Sequence, residues 1–162
     1  MKIGMMNNPR LDLAMEIAFA QEHRFDFLDL TLEPQMAHPE RIDRPKIRHA
    51  LREAHLPIVG HTPYYLPLAS PYESLRRAAV EEIRRILETF VELGASAVSI
   101  HPDKSIPSAL GERGIREKNI ESFAEIESLA QPLGIQILIE NMDRNFNTVE
   151  EFQETFSRFP RM

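Results

Sequence analysis

The chain has 162 residues, of which 43% are hydrophobic and 27% charged, as expected for a soluble globular domain with a sizeable core. Its formal net charge of −6 argues against a basic surface that binds nucleic acid through phosphate contacts. Because cysteine is absent, disulfides, thiolate ligands and a cysteine nucleophile are excluded. We see neither a signal-like start nor an apolar run of about 18 residues, and we expect a cytoplasmic protein without membrane contact.

The first two repeats each combine a short strand with an amphipathic helix. Residues 2–6 predict the first strand, and Asn8 and Pro9 suit the start of the first helix. Residues 25–32 predict the second strand. The helix that follows is expected to begin near Asp43, with a proline in its first turn and an apolar inward face.

A long helix is predicted between the third strand, which ends at His61, and the fourth, which ends at His101. Ser70 and Glu73 have the spacing of a capping box, with a proline between them at the first helical position. Apolar residues then recur every three or four positions. Gly94 is placed to end the helix in a left-handed conformation.

The last third of the chain predicts a loop, two helices and a fifth strand. Residues 102–118 are polar, and their length indicates a functional loop. The helix after this loop should end by Gly134, and the fifth strand should reach Glu140. Thr148 and Glu151 have capping-box spacing and are expected to open the last helix.

The predicted order is therefore about five consecutive strand-helix units in a single domain, residues 1–162, without a linker. Such units form a parallel sheet. One possible closure is a doubly wound open sheet of five strands, and the other is a (β/α)8 barrel, which normally takes about 250 residues. Length alone favours the open sheet.

Three apolar runs end in residues that bind metals. These are His61, His101 and Glu140, which we expect to share one rim because the carboxyl ends of parallel strands meet at one edge. The alternatives are histidines that are hydrogen-bonded at strand ends and a solvated carboxylate. Asp103 is a candidate to orient an imidazole, whereas Asp29 is interpreted as structural.

Five segments together resemble one known superfamily: residues 2–4, 27–33, 61–64, 68–71 and 138–141. They are similar to the xylose isomerase-like TIM barrels, which include sugar phosphate isomerases and epimerases and the endonuclease IV group of DNA repair enzymes. The resemblance covers essentially the whole chain. It implies an incomplete (β/α)8 barrel of about five parallel units and overrides the preference from length.

The resemblance also implies a divalent metal, zinc or manganese. Glu140 matches the metal ligand that the family shares on strand five and is the candidate catalytic residue. His61 and His101 match two metal ligands of the endonuclease IV group. The candidate substrate-binding residues at the same rim are Glu33, Tyr64 and Asn141.

Three functions follow as expectations. The first is a metal-dependent isomerase or epimerase of a sugar or sugar phosphate. The second is zinc-dependent hydrolysis of the phosphodiester at abasic DNA sites, which the acidic balance disfavours. The third is a non-catalytic or partner-dependent partial barrel. An arc of five strands leaves two open edges, so we expect self-association, and the chain is either a fragment or is completed by a partner.

Overall fold

In a computed structural model of the chain, five parallel strands form one sheet. The structure describes residues 1–104, 110–142 and 146–159. The strands are β1 (Gly4–Met6), β2 (Phe27–Thr31), β3 (Ile58–His61), β4 (Ala97–Ile100) and β5 (Gln136–Ile139). The helices are α1 (Leu13–Glu22), α2 (Arg44–Glu53), α3 (Glu73–Leu93), α4 (Gly111–Ala130) and α5 (Val149–Arg158). Among the described helices, none is both long and apolar enough to cross a membrane.

The strands lie in the order β1-β2-β3-β4-β5, and every neighbouring pair is parallel. Helix α1 packs against α2, α2 against α3, and α3 against α4, so these four helices form one continuous layer. A doubly wound sheet reverses its strand order and carries helices on both faces. The alternative of an open doubly wound sheet is therefore wrong, and the partial (β/α)8 barrel is confirmed.

The core lies between the sheet and the helix layer. Leu28, Leu30, Val98 and Ile100 alternate along β2 and β4 and are completely buried against the helices. Gly60 allows α3 to approach β3 closely. A Cβ atom at this position would lie 2.8 Å from Val98 Cγ2 and 2.9 Å from the ring of Phe90 in α3.

The opposite, concave face of the sheet carries the other alternate residues. Asp29 on β2 and His61 on β3 lie on this face, and His101 and Glu140 continue the same period of two beyond β4 and β5. Within the described residues, β1 and β5 each pair with one neighbour only. Their concave-face and edge side chains are consequently exposed, including Met6 on β1 and Leu138 on β5.

Two helix starts differ from the prediction. Helix α1 begins after Asp12, whose carboxylate accepts from the N–H groups of Ala14 and Met15, whereas Asn8 forms a local turn by accepting from the Arg10 N–H. A side chain that bonds its own turn does not cap a helix that begins five residues further on. The start at Asn8 and Pro9 was therefore wrong.

The capping box predicted at Ser70 does not form. Ser70 Oγ accepts from the Tyr72 N–H, and α3 begins at Glu73 without a side-chain cap. The Glu73 carboxylate binds the guanidinium groups of Arg76 and Arg77, which lower its pKa to about 2. The two guanidinium groups compete with the Ser70 N–H for this carboxylate.

The other predicted helix ends are confirmed. Asp43 caps α2, Gly94 ends α3 with a left-handed φ of 95°, and Thr148 forms a complete capping box with Glu151. The predicted loop 102–118 was too long, because α4 begins at Gly111. Its residues 105–109 lie outside the described part of the chain.

Candidate metal centre

Three metal-binding side chains converge at the carboxyl ends of β3, β4 and β5. One ligand atom from each of His61, His101 and Glu140 lies within 4.8 Å of the other two. His61 Nε2 is 2.6 Å from His101 Nε2, and Glu140 Oε2 is 3.4 Å from His61 Nε2 and from His101 Nδ1. The strand register explains why these side chains converge. Gly60, which precedes His61, pairs with Val98, and Ile100, which precedes His101, pairs with Ile139, which precedes Glu140. The three residues predicted to share a rim do so.

The donor set fits one divalent cation. Two ligands on a tetrahedral zinc ion, each at about 2.0–2.1 Å from the metal, lie about 3.3 Å apart. The 3.4 Å between His61 Nε2 and Glu140 Oε2 matches this spacing. The two Nε2 atoms would need to open by about 0.7 Å. His101 Nδ1 is buried and has no hydrogen-bond partner among the described residues. Three protein ligands leave a fourth position for substrate or water.

Asp29 orients the first histidine. His61 Nδ1 donates to Asp29, with the two carboxylate oxygens at 3.1 and 3.3 Å. This bond fixes the tautomer in which the lone pair of His61 Nε2 faces the other ligands. The same bond raises the pKa of His61, against the opposing effect of burial. Asp29 therefore belongs to the site as well as to the strand.

The pKa of His101 is shifted in the opposite direction, downward. Burial lowers the pKa of His101, and the neighbouring His61 acts in the same direction, while the Glu140 carboxylate opposes both. A neutral imidazole is the form that binds metals. The Asp103 carboxylate accepts from the Ala69 N–H at 3.1 Å, whereas the carboxylate bonded to an imidazole of this set, among the described residues, is that of Asp29.

A cavity of about 400 Å³ opens above the three ligands. The residues that line it include Met6, Met142, Glu33, Tyr64 and Lys104. Such a volume lies within the usual range for small-molecule sites. The apolar walls and a few polar groups suit a small organic ligand.

The predicted substrate-binding residues have different positions. Glu33 lines the cavity and accepts from Thr31 Oγ1 at 3.0 Å. Tyr64 is 54% exposed, and its ring lies edge-on to His101 with 6.3 Å between centroids. Asn141 is exposed and is not among the residues that line the cavity.

Sequence reasoning identifies Glu140 but not every cavity residue. A carboxylate that directly follows an apolar run is costly to bury unless it is paired or bound to a cation, which favours a role for Glu140, but its side chain is 42% exposed in the structure. Met6, Met142 and Lys104 were not singled out, although Met6 ends β1 and Lys104 lies shortly after β4. Proximity to a strand end was the available signal for these residues.

Comparison with solved structures gives sugar epimerases as neighbours. A D-tagatose 3-epimerase-like protein superposes with a TM-score of 0.83 at 27% identity, over 96% of this chain and 60% of that chain. The 3-keto-D-glucoside 4-epimerase YcjR of E. coli has a TM-score of 0.80 at 19% identity, over 100% of this chain and 65% of that one. At 19% identity the second likeness shows the fold alone.

Two curated relatives match over part of their length. A probable endonuclease 4 of Aquifex aeolicus (strain VF5) is 30% identical over 113 residues, which are 65% of this chain and 39% of the relative. The uncharacterized protein MJ1311 of Methanocaldococcus jannaschii is 34% identical over 133 residues, 79% of this chain and 44% of the relative. The chain thus spans about two fifths of these relatives. Residues 16–162 match the family described as xylose isomerase-like TIM barrel, and the chain belongs to that family.

Proposed function

We propose that His61, His101 and Glu140 bind one divalent cation, zinc or manganese, in the site of a sugar or sugar-phosphate isomerase or epimerase. The observation that carries the proposal is the convergence of three ligand atoms within 4.8 Å at the floor of a cavity of about 400 Å³. The structural neighbour named as D-tagatose 3-epimerase-like, at 27% identity, supports the reaction class.

Each residue has a defined part in this proposal. A bound cation would polarise a sugar carbonyl and its adjacent hydroxyl, which makes the neighbouring C–H more acidic. Glu140 would supply the anionic ligand of the cation. Asp29 keeps the lone pair of His61 Nε2 directed at the cation site. Glu33 offers a carboxylate to sugar hydroxyls. Because the chain spans 60% of the first epimerase-like structure, activity is proposed for the complete barrel.

Endonuclease-like hydrolysis at abasic DNA is the second candidate, supported by the Aquifex aeolicus relative and the two-histidine ligand set. Against it stands the net charge of −6, which opposes binding to a phosphate backbone. The third candidate is a non-catalytic partial barrel that associates through the β1 and β5 edges. The exposed side chains of Met6 and Leu138 at these edges support association.

The test begins with elemental mass spectrometry of the purified chain after gel filtration, which also reports self-association. We expect about one zinc or manganese ion per chain. A complete barrel that contains this chain, loaded with the metal, is then incubated with ketoses and ketose phosphates in heavy water, where NMR detects exchange of a carbon-bound proton. Cleavage of an abasic oligonucleotide without proton exchange would favour the second candidate. Absence of metal even after loading would overturn the proposal.

Asp29→Asn should weaken metal binding and change its pH dependence. A proton competes with metal at His61 Nε2, so affinity rises as pH rises through the raised pKa of His61. Without the carboxylate, that pKa falls and the transition moves to lower pH. At high pH the variant should still bind about 10- to 100-fold more weakly, because the ring is less well oriented. Metal titrations between pH 5.5 and 8.5, a range set around the ordinary histidine pKa of about 6.5, measure both effects. An unchanged pH profile would contradict the assignment.

Lys104→Ala separates phosphorylated from neutral substrates. Lys104 is the one Lys or Arg among the described residues that line the cavity. Loss of one charge-assisted contact to phosphate should raise KM about 10- to 100-fold for a sugar phosphate, with little change for the free sugar. Lys46→Ala on α2 is the matched control, since Lys46 does not line the cavity. Equal effects on both substrates would contradict a role in phosphate binding.

A further inference from the structure

Two polar residues on α4, Asn119 and Ser122, are completely buried and lie one turn apart. Buried polar groups destabilise a fold unless they are hydrogen-bonded. Asn119 uses both ends of its amide: Oδ1 accepts from the Asp103 N–H at 2.8 Å, and Nδ2 donates to the carbonyls of Asp103 and Ile115 at 3.0 and 3.1 Å. The amide therefore forms hydrogen bonds with both the N–H and the carbonyl of Asp103.

Asp103 also contacts the loop between β3 and α3. It lies two residues after His101, and its carboxylate accepts from the Ala69 N–H in the loop between β3 and α3. Ser122 Oγ donates to the Leu68 carbonyl at 2.6 Å in the same loop. The segments that follow His61 and His101 are thus held to α4 and to each other by directional bonds.

We infer that Asn119 is a positioning residue for the metal centre. Its two hydrogen bonds to the Asp103 backbone fix the chain just after β4. They thereby fix the position of the His101 imidazole opposite His61. Apolar packing from the rest of the α4 face is non-directional. It cannot fix the position of a backbone segment as precisely as these hydrogen bonds do. Asn119 itself is not one of the three residues of the ligand set. The inference rests on the proposed function, because it concerns that ligand set.

The test compares Asn119→Leu with Thr89→Val in the whole chain. Both substitutions delete a buried hydrogen-bonding group, but Thr89 Oγ1 only donates to the Arg85 carbonyl within its own helix, α3. Zinc affinity is measured by competition with a chelator, and circular dichroism and thermal unfolding are recorded in parallel. We expect Asn119→Leu to lose about 10- to 100-fold in zinc affinity, as for partners that orient metal ligands, and Thr89→Val to change it less than about twofold. If Asn119→Leu does not fold, Asn119→Ala serves the same purpose.

A second readout uses no metal. The His61 and His101 rings have centroids 4.7 Å apart, so cross-relaxation between their ring protons should be detectable by NMR in the metal-free chain. It should persist in Thr89→Val and weaken in Asn119→Leu. This pattern without metal binding in the native chain would uphold the positioning role and reject the proposed function. Native zinc affinity or unchanged cross-relaxation in a folded Asn119 variant would overturn the inference.

Discussion

Replacing Glu140 with glutamine is expected to lower the affinity for zinc about 100- to 1,000-fold. Structural zinc sites bind with roughly 10–16 kcal/mol over four ligands, so one ligand contributes roughly 2.5–4 kcal/mol. Glutamine keeps the shape of the side chain but replaces a charged donor with a neutral amide. The fold should be preserved, because the Glu140 side chain is 42% exposed and lies beyond the last residue of β5.

The matched control for Glu140→Gln is Glu33→Gln. Glu33 is a carboxylate in the same cavity but is not one of the three residues whose ligand atoms converge. Its substitution should change zinc affinity less than about threefold, a difference of about 0.6 kcal/mol. Both affinities are measured by chelator competition at one pH and ionic strength. An unchanged affinity in Glu140→Gln would remove this residue from the site.

Much of the fold follows from local patterns that the structure confirms. The buried stripe of α3, the left-handed Gly94 and the capping box at Thr148 depend on residues close in sequence. The shared rim was predictable for the same reason, since an apolar run gives the strand and its end gives the rim. His61 and His101 follow such runs, and the period of two places both on the concave face.

The predictions that the structure contradicts concern side chains with several competing partners or with partners far away in the sequence. Ser70 has the correct spacing for a capping box, but Glu73 binds arginines instead. Asp29 looked structural because its partner, His61, lies 32 residues further along the chain. Glu140 lies in the site although it is not deeply buried, so an argument from burial cannot find it. Side-chain choice among several partners is a tertiary property that spacing does not encode.

Gly60→Ala is expected to destabilise the fold by roughly 1–3 kcal/mol, the usual cost of overpacking a core. The added Cβ would lie 2.8 Å from Val98 Cγ2 and 2.9 Å from the Phe90 ring, distances at which an atom must move. Val98 and Phe90 are both completely buried, so neither has free space to enter. Because Gly60 precedes His61, the strain should also reach the ligand set, and zinc affinity should fall together with the melting temperature.

A double-mutant cycle identifies the cause of the loss. Val98→Ala removes the methyl group nearest to the new Cβ, so the Gly60→Ala/Val98→Ala variant should lose less stability than the two single losses added together. Gly114→Ala on α4 is the control, because the nearest atom, Leu110 Cβ, is 3.3 Å away and needs to shift by only a few tenths of an ångström. The higher helix propensity of alanine, about 1 kcal/mol, opposes the cost of this shift. Urea unfolding of the four variants gives the free energies. Strictly additive losses would show that contact with Val98 is not the source of the loss, and would indicate the Phe90 ring instead.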